Sequence, residues 1–331
     1  MFHYVKYAMA AILGASLAGP AAAAEPEPGW PTRALSIIVP YSAGGATDIL
    51  ARKIAEGLTH ELGKPVIVEN RAGAGGILGT TVAANAKPDG YTLFFGQVSS
   101  HGIAPNLSLA AKYDPVKDFE PIVWIDSIPN ILVVRKDLPV NSVDELIAYA
   151  KANPDKLNFA SSGIGSSTHL SGEMFKAQTG VQMTHIPYPG SSGALMSVVS
   201  GQTDLMFDNM PSAYPQVTNG RVKALAVTTQ KRSPLAPDVP TIAESTKSAD
   251  LSKFEATAWF GLFAPAGTPK PIIQRINAAV NDMLKKPEMV KFIGDGGGII
   301  EGGTPEDLAK HVNGELSKWK TVIEEAKLPK E

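Results

Sequence analysis

The chain has 331 residues, of which 44% are hydrophobic and 19% are charged, and its formal net charge is −2. This composition supports a buried core, predicts about two domains of ~150 residues and excludes general disorder. No cluster of Lys and Arg dominates any stretch and there is no cysteine. These two facts argue against nucleic acid as a partner and exclude disulfides, thiol catalysis and Cys-based metal sites.

The N-terminus has the pattern of an export signal. Lys6 supplies a positive charge, residues 7–17 form an apolar stretch, and Ala22 to Ala24 supply an A-x-A cleavage pattern. A membrane-spanning helix would need ~20 apolar residues, whereas the apolar region of an export signal runs ~7–15 residues. We therefore predict a signal peptide over residues 1–24, cleaved near Ala24, and a soluble, extracytoplasmic mature protein.

The first half of the mature chain alternates strand-like and helix-like segments. Apolar runs rich in β-branched residues predict strands at 35–39, 65–68 and 91–95. Apolar residues at helical spacing predict a helix from Ile49 to Leu58. A second helix around Val82 to Ala86 is expected to end at the turn over 88–90.

The second half continues the alternation, with strands predicted at 131–134, 157–160, 203–207 and 222–227. A capping box at Ser142 to Glu145 predicts a helix, apolar spacing predicts another over 269–284, and Thr304 with Asp307 caps the last one. This alternation predicts an α/β protein with mixed, mainly parallel sheets that helices cover on both faces.

A Ser/Gly-rich segment follows the strand at 35–39 and opens a helical pattern. A helix start carries unpaired N–H groups and about half a positive charge, so the amides of Gly44, Gly45 and Ala46 could bind a carboxylate. The alternative is an ordinary turn in which Thr47 or Asp48 caps the helix. This first loop comprises Tyr41, Ser42, Ala43, Gly44, Gly45, Ala46, Thr47 and Asp48.

A similar segment follows the strand at 157–160. Its hydroxyls can donate to an anion without adding a charge, although hydroxyls also cap helices. Because it is the second such loop and also follows a strand, we favour ligand binding. This second loop comprises Ser161, Ser162, Gly163, Ile164, Gly165, Ser166, Ser167, Thr168 and His169.

Other motifs give weaker indications of function. The Gly-rich stretch from Gly73 misses the G-x-G-x-x-G dinucleotide pattern, because Leu78 stands where glycine is needed. Asp204 and Asp208 would share one face of a strand, which invites a paired-carboxylate interpretation. We favour a position of Asp208 in the cleft over a helix-capping role.

Catalysis and metal binding have little support. None of the six histidines shows a metal-binding spacing. The order of residues leaves a Ser–His–Asp site open, but Ser42 and Ser167 lie in no G-x-S-x-G motif.

Motifs along nearly the whole mature chain, in order, resemble the Bug family, the periplasmic receptors of tripartite tricarboxylate transporters. They occupy residues 30–33, 39–48, 68–76, 88–93, 165–170, 186–188, 201–208 and 264–269. The resemblance implies a bilobed periplasmic-binding-protein fold of the Venus-flytrap, type II-like class. Lobe one would comprise residues 26–127 and 254–331, and lobe two residues 128–253.

The resemblance also implies where the ligand lies. The two loops would approach it from opposite lobes, and the segment that follows the strand at 91–95 would line the cleft. Where relatives usually carry Lys before Gly, this chain has Pro189 before Gly190, so the loop beside Tyr188 is expected to have its own shape. The candidate ligand-binding residues are Tyr41, Ser42, Ala43, Gly44, Gly45, Ala46, Thr47, Asp48, Gln97, Ser99, Ser162, Gly165, Ser166, Ser167, Thr168, Tyr188 and Asp208.

The implied function is extracytoplasmic capture of a small carboxylate: a di- or tricarboxylate, an acidic amino acid or an aromatic acid. A monomer would deliver it to integral-membrane transporter subunits, with no catalytic residue, cofactor or metal. Two alternatives are a secreted hydrolase that uses the same cleft and a binding or sensing receptor that has no transporter.

Overall fold

A computed structural model describes residues 28–44, 46–188 and 190–330. The predicted signal peptide and Gly45 of the first loop lie outside these residues. Within the described ranges, no helix has both the length and the apolar character that a membrane crossing requires.

The described residues form ten strands and ten α-helices. The strands are β1 (Leu35–Val39), β2 (Val66–Asn70), β3 (Thr92–Gln97), β4 (Phe119–Arg135), β5 (Asn158–Ser161), β6 (Thr184–Pro187), β7 (Leu205–Asn209), β8 (Val222–Val227), β9 (Thr257–Pro265) and β10 (Ile299–Gly302). The helices are α1 (Ala46–Leu62), α2 (Ile77–Ala84), α3 (Ala104–Leu107), α4 (Val143–Ala152), α5 (Ser167–Thr179), α6 (Ser191–Val199), α7 (Met210–Thr218), α8 (Lys270–Leu284), α9 (Pro287–Asp295) and α10 (Pro305–Glu325).

The strands form one continuous sheet in the order β2-β1-β3-β9-β4-β7-β5-β6, with β10 and β8 also paired to β4. Strand β4 changes partners along its length. Up to Pro129 it pairs with β9, and from Asn130 onward it pairs with β7 and β8. We call β1, β2, β3, β9, β10 and residues 119–129 the first half-sheet, and β5 to β8 with residues 130–135 the second half-sheet.

The expectation of mainly parallel pairing needs correction. Among the described strands, four pairs are parallel and five are antiparallel. Every antiparallel pair contains β4, which runs from one half-sheet to the other, or β9, which pairs with β4 and β3 in the first half-sheet. The parallel pairs are confined to the strand–helix–strand units on either side, where a helical crossover enforces parallel pairing.

Local capping signals produce helices where the sequence predicts them. At the start of α10 the Thr304 hydroxyl accepts from the amide of Asp307 at 3.2 Å, and the Asp307 carboxylate accepts from the amide of Thr304 at 2.8 Å. At α4 the Ser142 hydroxyl accepts from the Glu145 amide, but the Glu145 carboxylate binds the amide of Asn141, one residue before the predicted partner.

The apolar core joins the two half-sheets. One buried cluster packs α1 and α8 against the first half-sheet. A larger one is continuous from Phe94 on β3 to Phe159 on β5 and includes Trp319 on α10. Because burial of apolar area is the main favourable term in folding, this continuous cluster holds the two half-sheets against each other.

Thr304→Ala should lower the free energy of unfolding by about 1 kcal/mol, because it removes an N-cap acceptor and one half of the capping box. Urea unfolding monitored by circular dichroism provides the measurement. Thr321→Ala, at an exposed position inside the same helix, serves as the control and should be neutral or slightly stabilising. Equal effects of the two changes would contradict the capping role.

Candidate ligand-binding site

The first loop is held from within by Asp48. Its buried carboxylate accepts from the Gly44 amide at 2.8 Å, from Arg52 at 3.0 Å and from the Asn70 side chain at 2.9 Å. Burial acts to raise the pKa of Asp48, but these hydrogen bonds hold it below its usual value. The Gly44 amide, expected to bind an anion, is therefore paired inside the loop. Gly44 has φ 84°, a conformation that favours glycine.

The base of the first loop connects to the segment after β3. The Tyr41 hydroxyl donates to the Gly75 carbonyl at 3.3 Å and is hydrogen-bonded to the side chains of Gln97 and Ser99. Thr47 donates to the Gln97 side chain at 3.3 Å. Burial raises the pKa of Tyr41 despite these bonds. The structure thus brings Tyr41, Thr47, Gln97 and Ser99 together.

The remaining described residues of the first loop are placed differently. Ser42, Ala43 and Gly44 are exposed at its tip, and Ala46 begins α1. Solvent therefore reaches the tip, whereas the base of the loop is tied to the protein interior.

Three hydroxyls of the second loop form a compact cluster. Thr168 lies at its centre, with its Oγ1 2.9 Å from the Oγ of both Ser162 and Ser166. The Ser162 amide also donates to Thr168 Oγ1 at 2.9 Å. Ser166 is the N-cap of α5, because its Oγ accepts from the His169 amide at 3.2 Å. The capping interpretation is therefore confirmed at Ser166, whereas ligand binding by this loop stays a prediction.

Two stacked histidines support the second loop. The rings of His169 and His185 are 4.0 Å apart, and Phe159 stacks on His185. The Gly165 amide donates to His169 Nδ1 at 3.3 Å, and His185 Nε2 is 2.6 Å from the Ser161 hydroxyl. Burial lowers the pKa of His169 to about 3 and that of His185 to about 4. Both rings are therefore neutral at neutral pH and can accept these hydrogen bonds.

The Ser161–His185 pair has the composition of a nucleophile and a base, but its surroundings are structural. Ser161 is fully buried, and its hydroxyl also contacts the amide and the carbonyl of Gly163. A nucleophile must be able to approach a substrate atom. The pair instead holds the turn of the second loop.

Asp204 and Asp208 do not form a carboxylate pair, which corrects that interpretation. Asp204 precedes β7 and binds Arg135 and the Asn158 amide, each at 2.9 Å. Asp208 lies near the other end of β7, fully buried, and accepts from the hydroxyls of Ser191 and Ser212. Burial raises the pKa of Asp208 to about 6, against the effect of these two hydrogen bonds.

Tyr188 stands directly after β6. Its amide donates to the Ser161 carbonyl at 3.0 Å, and its half-buried ring packs against the apolar cluster of the second half-sheet. Tyr188 is thereby joined to the strand that carries the second loop.

A cavity of about 220 Å³ lies between segments of the two half-sheets. Ser99 and Gly75, which contact Tyr41, line it from one side, and Ile164 and Gly165 of the second loop line it from the other. We call it the loop cavity. Its remaining walls are mainly small or apolar residues that the sequence patterns did not single out: Ala74, Ile77, Ala104, Leu107, Ser108 and Ala110.

Two α/β half-sheets that share strand β4, with a cavity lined by segments of both, are the arrangement of a bilobed periplasmic binding protein. A family model described as the tripartite tricarboxylate transporter family receptor matches residues 50–328. The chain belongs to this family of periplasmic solute-binding receptors, and the resemblance to the Bug family is confirmed.

Known proteins support the assignment over most of the chain. Protein BugT of Bordetella pertussis is 36% identical over 298 residues, covering 89% of this chain and 90% of BugT. The structure of R. palustris Rpa4515 with adipate has a TM-score of 0.82 and 37% identity, covering 91% of this chain and 99% of that one. The structure of MatC from Rhodopseudomonas palustris with bound malate has a TM-score of 0.78 and 37% identity. The match covers 89% of this chain and 100% of the MatC chain.

The free energy of unfolding should fall as the pH is lowered from about 6.5 towards about 4. The folded pKa values of His169 and His185 lie below the ordinary 6.5, so over this range the unfolded chain binds protons that the folded chain does not. Urea unfolding across this range measures the slope. His185→Phe keeps a ring beside Phe159 but removes one titrating group, and it should flatten the slope.

His60→Gln, at an exposed position at the end of α1, is the control and should leave the slope unchanged. NMR titration of the histidine rings tests the cause directly. Midpoints near 6.5 for both stacked rings would contradict their burial.

Proposed function

We propose that this receptor captures a small carboxylate between its two lobes and delivers it to the integral-membrane subunits of a tripartite transporter. The observation that carries the proposal is the loop cavity, because it is lined on one side by Gly75, which Tyr41 of the first loop contacts, and on the other by Ile164 and Gly165 of the second loop. The relatives with bound adipate and malate support the choice of a carboxylate.

We place lobe one at residues 26–127 and 254–331 and lobe two at residues 128–253. The change of partners along β4 supports these limits, since it falls between Pro129 and Asn130. Thr257, the first residue of β9, pairs with Pro129 at the same level. Both crossings between the lobes therefore lie close to the proposed boundaries, and closure would bend the protein there.

The hydroxyl cluster of the second loop offers one proton to a ligand. Ser166 donates its own proton to the Gly163 carbonyl at 2.6 Å, so Thr168 is the donor in its contact with Ser166. Thr168 Oγ1 already accepts from the Ser162 amide. The proton of the half-buried Ser162 hydroxyl can therefore turn from Thr168 to a carboxylate at little cost. Ser162 does not itself line the loop cavity, so we propose that it donates to the ligand once the lobes close, and that Thr168 positions the loop.

The binding free energy that a receptor needs requires several hydrogen bonds to the ligand. Micromolar affinity corresponds to about −8 kcal/mol, whereas a partly buried helix terminus contributes at most about 2 kcal/mol. The start of α5 is thus insufficient alone. Charge-assisted hydrogen bonds from both lobes, made as closure excludes water, would supply the rest. A ligand that touches one lobe should bind weakly and leave the protein open.

We further propose that the chain is exported with cleavage near Ala24 and acts as a monomer. The match to a family of periplasmic receptors supports export. N-terminal sequencing of the periplasmic fraction and light scattering of the purified protein test these two points separately.

Adipate and malate should each be tested for stabilisation of the mature protein in a thermal-shift titration. A ligand of the folded state raises the free energy of unfolding by about 2.7 kcal/mol at a hundred times its Kd. At least one carboxylate of a panel that adds tricarboxylates, acidic amino acids and aromatic acids should raise the Tm in a concentration-dependent way. A flat response to the whole panel would contradict carboxylate capture.

Ser162→Ala should raise the Kd of the carboxylate identified in that panel about tenfold or more, because a hydrogen bond to a charged group contributes about 1.5–3 kcal/mol. Calorimetric titration gives the change in Kd. Ser317→Ala, on an exposed face of α10, is the matched control and should leave Kd unchanged. Unchanged affinity of the Ser162 variant would remove this hydroxyl from the site.

A further inference from the structure

A second cavity of about 480 Å³, larger than the loop cavity, lies beside strands β4 and β9. Its volume is within the range of about 300–1,000 Å³ that is typical of small-molecule sites. Its walls come from β4, β9, β10, α10 and the segment after β8. No candidate carboxylate-binding residue lines it, so this crossover cavity is separate from the loop cavity.

Two carboxylates of the crossover cavity have no cationic partner. Among the described residues, neither Glu255 nor Glu301 takes part in an ion pair. Glu301 is exposed at the mouth of the cavity, and its carboxylate interacts with the buried Ser127 in the wall. Burial, followed by the charge of Glu255, raises the pKa of Glu301. A cationic group placed here would relieve both effects.

The same cavity presents an ammonium group without an anionic partner. Lys231, an exposed residue, lines the rim of the cavity, and no described carboxylate lies within ion-pair distance of its Nζ. The other lysine of the wall, Lys318, is bound to Glu315. The cavity therefore holds unpaired charges of both signs, a pattern that a net cation or a net anion would satisfy only in part.

We propose that the crossover cavity is a second binding site, for a small zwitterion that carries an ammonium and a carboxylate, such as an amino acid. The ammonium would lie between Glu255 and Glu301, and the carboxylate at Lys231. Glu301 belongs to β10 in the first half-sheet, and Lys231 follows β8 in the second. A bound zwitterion thus touches segments of both half-sheets beside the strands that connect them.

Calorimetric titration of the mature protein with glycine and with L-alanine tests the proposal. Both should bind at millimolar concentrations, whereas propionate and ethylamine, which each carry one of the two charges, should bind about tenfold more weakly or not at all. Glu301→Gln and Lys231→Met should each raise the Kd of both amino acids about tenfold. Glu324→Gln, an exposed change elsewhere on α10, should leave binding unchanged.

The Ser162→Ala variant distinguishes this site from the loop cavity. If the zwitterion binds in the crossover cavity, its Kd should be the same in this variant as in the parent protein. Three results would overturn the proposal. The Ser162→Ala variant could lose amino-acid binding, the Glu301→Gln variant could retain it, or the parent protein could bind neither amino acid. Carboxylate capture is measured separately by the Tm panel, so it can stand when the second site fails.

Discussion

The placement of the second loop depends on a buried amide network at Asn130, where β4 passes from one half-sheet to the other. The Asn130 side chain donates to the Ser171 hydroxyl at 2.9 Å and accepts from Asn209 at 2.6 Å. The Thr228 hydroxyl contacts its backbone amide and carbonyl. Since an unpaired buried amide costs several kcal/mol, this network allows one relative placement of α5, β7 and β8 around the crossover strand.

The network reaches the second loop through one turn of helix. Ser171 also donates to the carbonyl of Ser167, the first residue of α5. The hydroxyl cluster at the start of α5 is thus connected to the point where β4 changes partners. A bend of β4 at that point would move the second loop together with α5. The same bend would therefore close the lobes and bring the second loop to the ligand.

Local patterns predicted much of the fold, and contacts between distant residues account for what they missed. The strands at 35–39 and 222–227 have the predicted bounds, and the Thr304 capping box formed as expected. Strand β9 was missed because every one of its residues is buried, so it lacks the alternation that marks a half-buried strand. The partners of Asp48 and Asp208 were missed because Asn70 and Ser191 lie far along the chain.

The internal pairing of the site limits how tightly it can hold a ligand. The Gly44 amide is bound by Asp48, Thr168 by its two serine neighbours, and Asp208 by Ser191 and Ser212. A carboxylate that recruits one of these groups must first displace an existing hydrogen bond, so it gains only the difference between the two. The Ser162 hydroxyl exchanges its contact with Thr168 for one with a charged acceptor, so it gains more than a neutral pair would. If the proposed site is the ligand site, this internal pairing would favour the moderate affinity that allows a receptor to release its solute.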